Sequence, residues 1–128
     1  MQTSNKELIL LVDDDPGNLK RAQTILGEEF RISATTSGKM ALSLLSKVTP
    51  DLILLDVNMP EMNGYEATKE IRKLSEVIPI IAVTAYAFAS DEEQVMNSGF
   101  DAYASKPLNA SALKKQMVDL LRARVFVI

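Results

Sequence analysis

Short unbroken apolar runs alternate along this chain with longer stretches in which apolar residues recur every three or four positions. Leu8 to Val12 (LILLV) is apolar throughout and stops at Asp13, the pattern of a strand buried on both faces. Leu19, Ala22, Ile25 and Leu26 follow at helical spacing, with Gly27 near the end of that helix. A weaker strand is expected from Phe30 to Thr36. Ser37 then caps a second helix carrying Ala41, Leu44, Leu45 and Val48 on one side. After Pro50, Leu52 to Leu55 (LILL) is another buried run that ends at Asp56. Pro60, Asn63 and Gly64 read as turn residues, and a third helix is expected from Tyr65 to Ser75 with Ala67, Ile71 and Leu74 on its inner face.

The fourth strand reads as Ile78 to Val83, with Pro79 at its start, where proline is tolerated, and stops at Thr84. A fourth helix is expected near Ser90, where Ser90 and Glu93 can form a capping box, and Gly99 marks its end. Ala102 to Ser105 is a short strand leading to Lys106-Pro107. A last helix from Ala110 carries Leu113, Met117, Leu120 and Leu121 at helical spacing. Five repeats of strand then helix predict an α/β fold: one doubly wound, five-stranded parallel sheet with helices on both faces and right-handed crossovers. Five strands suit the flavodoxin-like order 2-1-3-4-5. The domain is expected to take up residues 1–128, with its core at about 7–122.

Composition narrows the chemistry. The 128 residues contain no cysteine and no histidine, which excludes disulfides, thiolate or imidazole metal ligands, and a Ser-His-Asp triad. Any phosphohistidine chemistry must therefore take its histidine from another protein. A net charge of −3 argues against nucleic acid or anionic membrane as a main partner. The five-residue apolar run near the N-terminus meets three aspartates and is too short for a signal peptide or a membrane span. A cytoplasmic location without membrane insertion is the resulting expectation.

The chemically capable residues fall at equivalent places in different repeats. Asp13, Asp14 and Asp15 follow the first strand, Asp56 the third, Thr84 the fourth and Lys106 the fifth. In a parallel sheet all strand C-termini share one edge, and ligands bind there at the switch point, between strands 1 and 3 in this order. Two carboxylates about 4 Å apart repel by roughly 4 kcal/mol at an effective dielectric near 20. The acids would thus be costly together without a cation among them. An all-oxygen ligand set favours a hard ion, Mg²⁺ with Mn²⁺ as alternative. With the ion bound, Lys106 and Thr84 can meet the oxygens of a transferring phosphoryl group, and a carboxylate can attack phosphorus. Asp56 is the best candidate, because it ends the most hydrophobic strand.

These residues carry a family resemblance. VDDD (Val12 to Asp15), LLDVNMPEMNG (Leu54 to Gly64), VTAYA (Val83 to Ala87) and YASKPL (Tyr103 to Leu108) together resemble the response-regulator receiver domain over about Leu8 to Leu121. The resemblance implies that Asp56 is the phosphoacceptor. It further implies that Asp14 and Asp56 ligate Mg²⁺ by side chain, Asn58 by its backbone carbonyl, and Asp13 through water. Thr84 and Lys106 match the switch hydroxyl and the motif lysine. Tyr103 matches the aromatic that changes rotamer, and Lys106-Pro107 a bond that is usually cis. Asn58 and Tyr86 occupy the positions that tune hydrolysis. The implied donor is the phosphohistidine of a histidine kinase or histidine phosphotransfer protein. The implied response is a changed face on helix 4, strand 5 and helix 5, in a monomer or a weak phosphorylation-linked dimer. NGYEATKEIRK and GFDAYASKPLNASAL are most similar to receivers of hybrid histidine kinases.

Plainer readings stand beside these. Asp15 reads equally well as a helix N-cap, Thr84 alone as a strand end, Lys106 alone as a surface lysine, and Tyr103 as core packing. Ser37-Gly38-Lys39 lacks the spacing of a phosphate loop and reads as a helix start. Met59 and Met62 are candidates for an exposed docking surface, and the tail from Val125 for a natural end, a dimer contact or the stump of a longer chain. Three other functions compete. An aspartyl-nucleophile phosphohydrolase would use Asp13, but Gly17 stands where it expects Thr or Val. A flavin-binding domain of the same fold needs a Ser/Thr/Gly loop where three acids stand. A receiver-like scaffold that is never phosphorylated would not need the full motif set.

Overall fold

The computed structural model describes residues 6–85 and 89–125, with side chains for 6–85 and 93–123. Tyr86, the side chain of Ser90 in the expected capping box, and the tail beyond Val125 lie outside the described residues. Five strands, β1 (Leu8–Val12), β2 (Arg31–Thr35), β3 (Leu52–Asp56), β4 (Ile80–Thr84) and β5 (Ala102–Ser105), alternate with five helices. These are α1 (Pro16–Leu26), α2 (Gly38–Leu45), α3 (Gly64–Leu74), α4 (Ala89–Asn97) and α5 (Ala110–Val125). All strand pairs are parallel, in the order β2-β1-β3-β4-β5.

Alternation along the strands divides the core in two. Leu10, Val12, Ile53, Leu55, Ile80 and Ala82 pack with α2, α3 and the α4–β5 region on one face. Ile9, Leu11, Leu52, Leu54, Ile81 and Val83 pack with α1 and α5 on the other. Central strands buried on both sides are why these runs are apolar without a break.

Local chemistry sets the ends. Asp15 accepts from the Gly17 amide and caps α1, so its plainer reading is the right one for that side chain. Ser37 caps α2 by accepting from Met40 N. Asn63 and Glu66 form a reciprocal capping box at α3, one residue earlier than the expected start.

Two inward assignments and one strand boundary change. Val48 lies beyond α2 and is exposed, because the helix closes in tight turns ahead of Thr49-Pro50, where helical backbone is disfavoured. Leu74 is 60% exposed at the last position of α3, where the sheet no longer offers a partner, and Thr68 joins the buried side instead. β4 starts at Ile80 and not Ile78: the first strand amide that can donate after Pro79 is that of Ile80, taken by Asp101 Oδ2 at 2.8 Å. Met59 is buried, and Met62 packs against the core over Gly38, so neither forms an exposed docking surface. Met62 is held in place by a γ-turn, Met62 N donating to Pro60 O at 2.7 Å with Glu61 at φ 66°.

Candidate phosphoacceptor site

The same alternation predicts which face each strand-end residue takes. Asp56 follows Leu52 and Leu54, and Lys106 continues the series of Ala102 and Ala104, so both belong to the α1/α5 face. Asp13 follows Ile9 and Leu11 onto that face too. Thr84 follows Ile80 and Ala82 onto the opposite face, where Tyr103 pairs in register with Ala82. Acids and ammonium therefore meet on one side of the sheet edge, with Thr84 and Tyr103 on the other.

Distances bear this out. Oxygens of Asp13, Asp14 and Asp56 all lie within 4.8 Å of one another. Lys106 Nζ stands 3.5 Å from Asp13 Oδ2 and 3.4 Å from Asp56 Oδ2. The two carboxylates are held alike. Asp13 Oδ1 accepts from Asp15 N at 2.9 Å, and Asp56 Oδ1 from Asn58 N at 3.0 Å. Three carboxylates and one ammonium leave a charge of −2 in this cluster, so the shared lysine does not neutralise it. An oxygen-only, under-neutralised cluster is the donor set that suits a hard divalent cation.

Asp56 is only 2% exposed. Its pKa is raised above the ordinary carboxylate value, first by burial and also by the neighbouring Asp13 charge. The Asn58 amide and Lys106 pull the other way. Burial wins. A cavity of about 60 Å³ opens beside these groups, walled by α1 and the Lys106–Leu108 segment. Backbone bonds tie the neighbouring elements to the site: Lys106 N donates to Thr84 O at 2.8 Å, and Val57 N to Val83 O at 3.0 Å. The Lys106-Pro107 bond is cis. Tyr103 is half-buried, and its carbonyl accepts from Gln116 of α5 at 2.8 Å.

Sequence reasoning read Gly64 only as a turn residue. A Cβ there would lie 2.5 Å from Val57 Cα and 2.6 Å from the Asp56 carbonyl oxygen. Glycine lets the start of α3 close directly on the end of β3, which fixes the Asn58 loop against Asp56. The signal available was the Asn63-x-x-Glu66 capping box around it.

This fold and edge site define a receiver-type α/β domain. A family model described as the response regulator receiver domain matches residues 9–118, and the chain belongs to that family. It is 40% identical over 119 residues to the sensor histidine kinase RcsC of Escherichia coli K12, covering 92% of this chain and 12% of that protein. The chain thus spans about an eighth of that kinase's length. It is 38% identical to the polar-differentiation response regulator DivK of Brucella ovis, covering 79% of this chain and 85% of DivK. The receiver domain of sensor histidine kinase PA1611 from Pseudomonas aeruginosa, solved with magnesium coordinated in its active site cleft, superposes with a TM-score of 0.83. It is 31% identical and covers 91% of this chain and 98% of that one. Phosphoacceptor signalling in two-component systems is the function of the family, with a histidine kinase as the implied partner. Among the described residues no helix is long and apolar enough to cross a membrane.

Proposed function

We propose that Asp56 takes a phosphoryl group from a phosphohistidine of a histidine kinase or histidine phosphotransfer protein, and that the modified chain is the second state of a signalling switch. The observation that carries this reading is a buried carboxylate, Asp56, sharing one ammonium with Asp13 inside a three-carboxylate cluster at the sheet edge. An Asp56 oxygen attacks phosphorus, the P–N bond breaks, and its electron pair returns to the imidazole. The ionised carboxylate needs no base. Lys106 and the Asn58 amide, 3.4 and 3.0 Å away, hold its charge in place.

Asp14 and Asp56 side chains and the Asn58 backbone carbonyl would hold Mg²⁺, or Mn²⁺, with Asp13 acting through water; the bound ion supplies charge neutralisation at the phosphoryl oxygens. The magnesium in the active site cleft of the PA1611 receiver supports a divalent ion here. Lys106 meets one phosphoryl oxygen, and the Thr84 hydroxyl another. Drawing Thr84 toward the edge frees space on its own face of the sheet, into which Tyr103 turns. A groove of about 820 Å³ between α4, β5 and α5, with Tyr103 among its walls, is the surface this change would remodel. The acidic chain would work with a protein partner and not with nucleic acid, as a monomer or a weak phosphorylation-linked dimer.

The test is mass spectrometry after incubation with a phosphorylated histidine donor and Mg²⁺. One phosphoryl group is expected on Asp56 and none in Asp56→Asn. A phosphoryl group found on Asp13 would point to the phosphohydrolase chemistry instead.

A further inference from the structure

Helix α3 presents a stripe, Tyr65, Thr68 and Arg72, to the turn that joins α4 to β5. The rings of Tyr65 and Phe100 meet edge to face, 5.9 Å apart at 85°. Gly99 has φ +102°, and a Cβ there would lie 3.2 Å from Thr68 Cγ2 and 3.4 Å from Arg72 Cγ. The turn is closed tightly onto the helix. Arg72 then fastens it. Its Nε donates to Gly99 O at 2.9 Å, Nη1 to Ile78 O at 2.7 Å, and Nη2 to Asp101 Oδ2 at 2.9 Å. Asp101 is itself fixed to the start of β4, Oδ2 accepting from Ile80 N and its own amide donating to Ile80 O, both at 2.8 Å.

One planar guanidinium with its side chain only 20% exposed thus joins the end of α3, the start of β4, the α4–β5 turn and the start of β5. Charge-assisted, partly desolvated bonds of this kind are stronger than neutral ones and hold direction as well as distance. The opposite end of α4 follows β4, which ends at Thr84 on the sheet edge that carries Asp56.

We propose that Arg72 anchors a hinge: α3 holds the C-terminal end of α4 at Gly99, so that the response to Asp56 swings α4 about this turn. The hinge rests on the phosphoacceptor reading above. It deepens that reading by assigning the pivot to a residue that touches neither phosphate nor metal. Arg72 is a positioning residue, and its removal should change where the response is felt without changing whether Asp56 reacts.

Amide NMR with Mg²⁺ and beryllofluoride, together with hydrogen exchange in the resting protein, tests this. In the unsubstituted chain the Thr84 and Ala85 amides should shift while Gly99, Phe100 and Asp101 stay. In Arg72→Gln, resting exchange at Ser98 and Asp101 should rise at least tenfold with β1 and β3 unchanged, and Gly99 to Asp101 should now shift with the mimic. Arg72→Lys keeps the charge but cannot span the same acceptors; it should behave alike to a smaller degree and serves if Arg72→Gln does not fold. The hinge alone is overturned if Gly99 to Asp101 shift as much as Thr84 in the unsubstituted chain, or if exchange in the variants rises uniformly. Absence of any shift in the unsubstituted chain would instead overturn the phosphoacceptor reading, and the hinge with it.

Discussion

Asp56 is a carboxylate whose ionisation costs more in the folded chain than in the unfolded one. Burial, with Asp13 adding to it, raises its folded-state pKa above the ordinary 3.8. Below that value the group is neutral folded or unfolded and has no effect on stability. As pH rises toward the folded value the unfolded chain releases its proton first, so stability falls, and above the folded value the full penalty is in place. Asp56→Asn should therefore raise the melting temperature of the metal-free protein at neutral pH, with the gain shrinking to nothing below about pH 3.8. The variant should also lose much of the Mg²⁺-induced rise. Melts across pH, with and without Mg²⁺, check both; a less stable metal-free variant at pH 7 would contradict the clustered-acid picture. Thr68 offers an independent case. Its hydroxyl is fully buried with no hydrogen-bond partner among the described residues. Replacing an unsatisfied polar group by an apolar one of the same shape removes a desolvation cost of about 1–3 kcal/mol. Thr68→Val should accordingly move the urea midpoint upward with the slope unchanged, and a downward shift would show that the hydroxyl has a role in the packing.

At the scale of elements, the sheet is pinned at its N-terminal edge by two aspartates that act alike. Asp51 precedes β3, and its Oδ2 accepts from Leu8 N at 2.7 Å while its own amide donates to Leu8 O at 2.8 Å. Asp101 does the same for β5 against Ile80 of β4. Each closes a two-bond ring at the first residue of a neighbouring strand and so fixes the parallel register. Asp51→Ala leaves the Leu8 amide without its acceptor and should cost about 1–3 kcal/mol, whereas Asp51→Asn keeps an acceptor and should cost less. Denaturant melts of the two variants decide it; equal losses would mean that the charge matters and the bond does not. Neither clamp was legible beforehand, because a lone Asp before a strand has no periodicity to mark it. What was legible followed from burial. Runs such as LILLV and LILL are buried on both faces, so their bounds and parallel pairing could be read directly. Leu74 and Val48 misled because helical spacing says which side a residue faces but not where the sheet beneath it stops. The convergence of Asp13, Asp56 and Lys106 was readable from topology alone. Which carboxylate reacts is not a matter of geometry, since Asp13 and Asp56 are held by equivalent bonds, and the choice of Asp56 is the proposal made above on the motif resemblance.

Across the whole molecule, the strand-end residues are divided between two faces of the sheet, which in the proposed switch would separate chemistry from response. Asp13, Asp56 and Lys106 lie toward α1 and α5, while Thr84 and Tyr103 belong to the face covered by α3 and the α4–β5 turn. In the proposed switch a phosphoryl group on Asp56 would act on the second face through the sheet edge, where Thr84 stands with its carbonyl already bonded to Lys106 N. The proposed switch therefore has two separable parts. Moving a two-state equilibrium from 1:99 to 99:1 takes roughly 5.5 kcal/mol of differential stabilisation, several times the worth of one hydrogen bond. Thr84 must then act together with the Lys106 contact and the repacking of Tyr103, and its loss should reduce the shift without abolishing phosphoryl transfer. In Thr84→Ala, beryllofluoride with Mg²⁺ should still bind, seen as a bound fluorine resonance, while the amide shifts at Tyr103 fall well below those of the unsubstituted chain. Full shifts at Tyr103 in that variant would mean that the signal crosses the sheet by another route, through the Lys106 backbone and β5, and that the hydroxyl is no more than a ligand of the phosphoryl group.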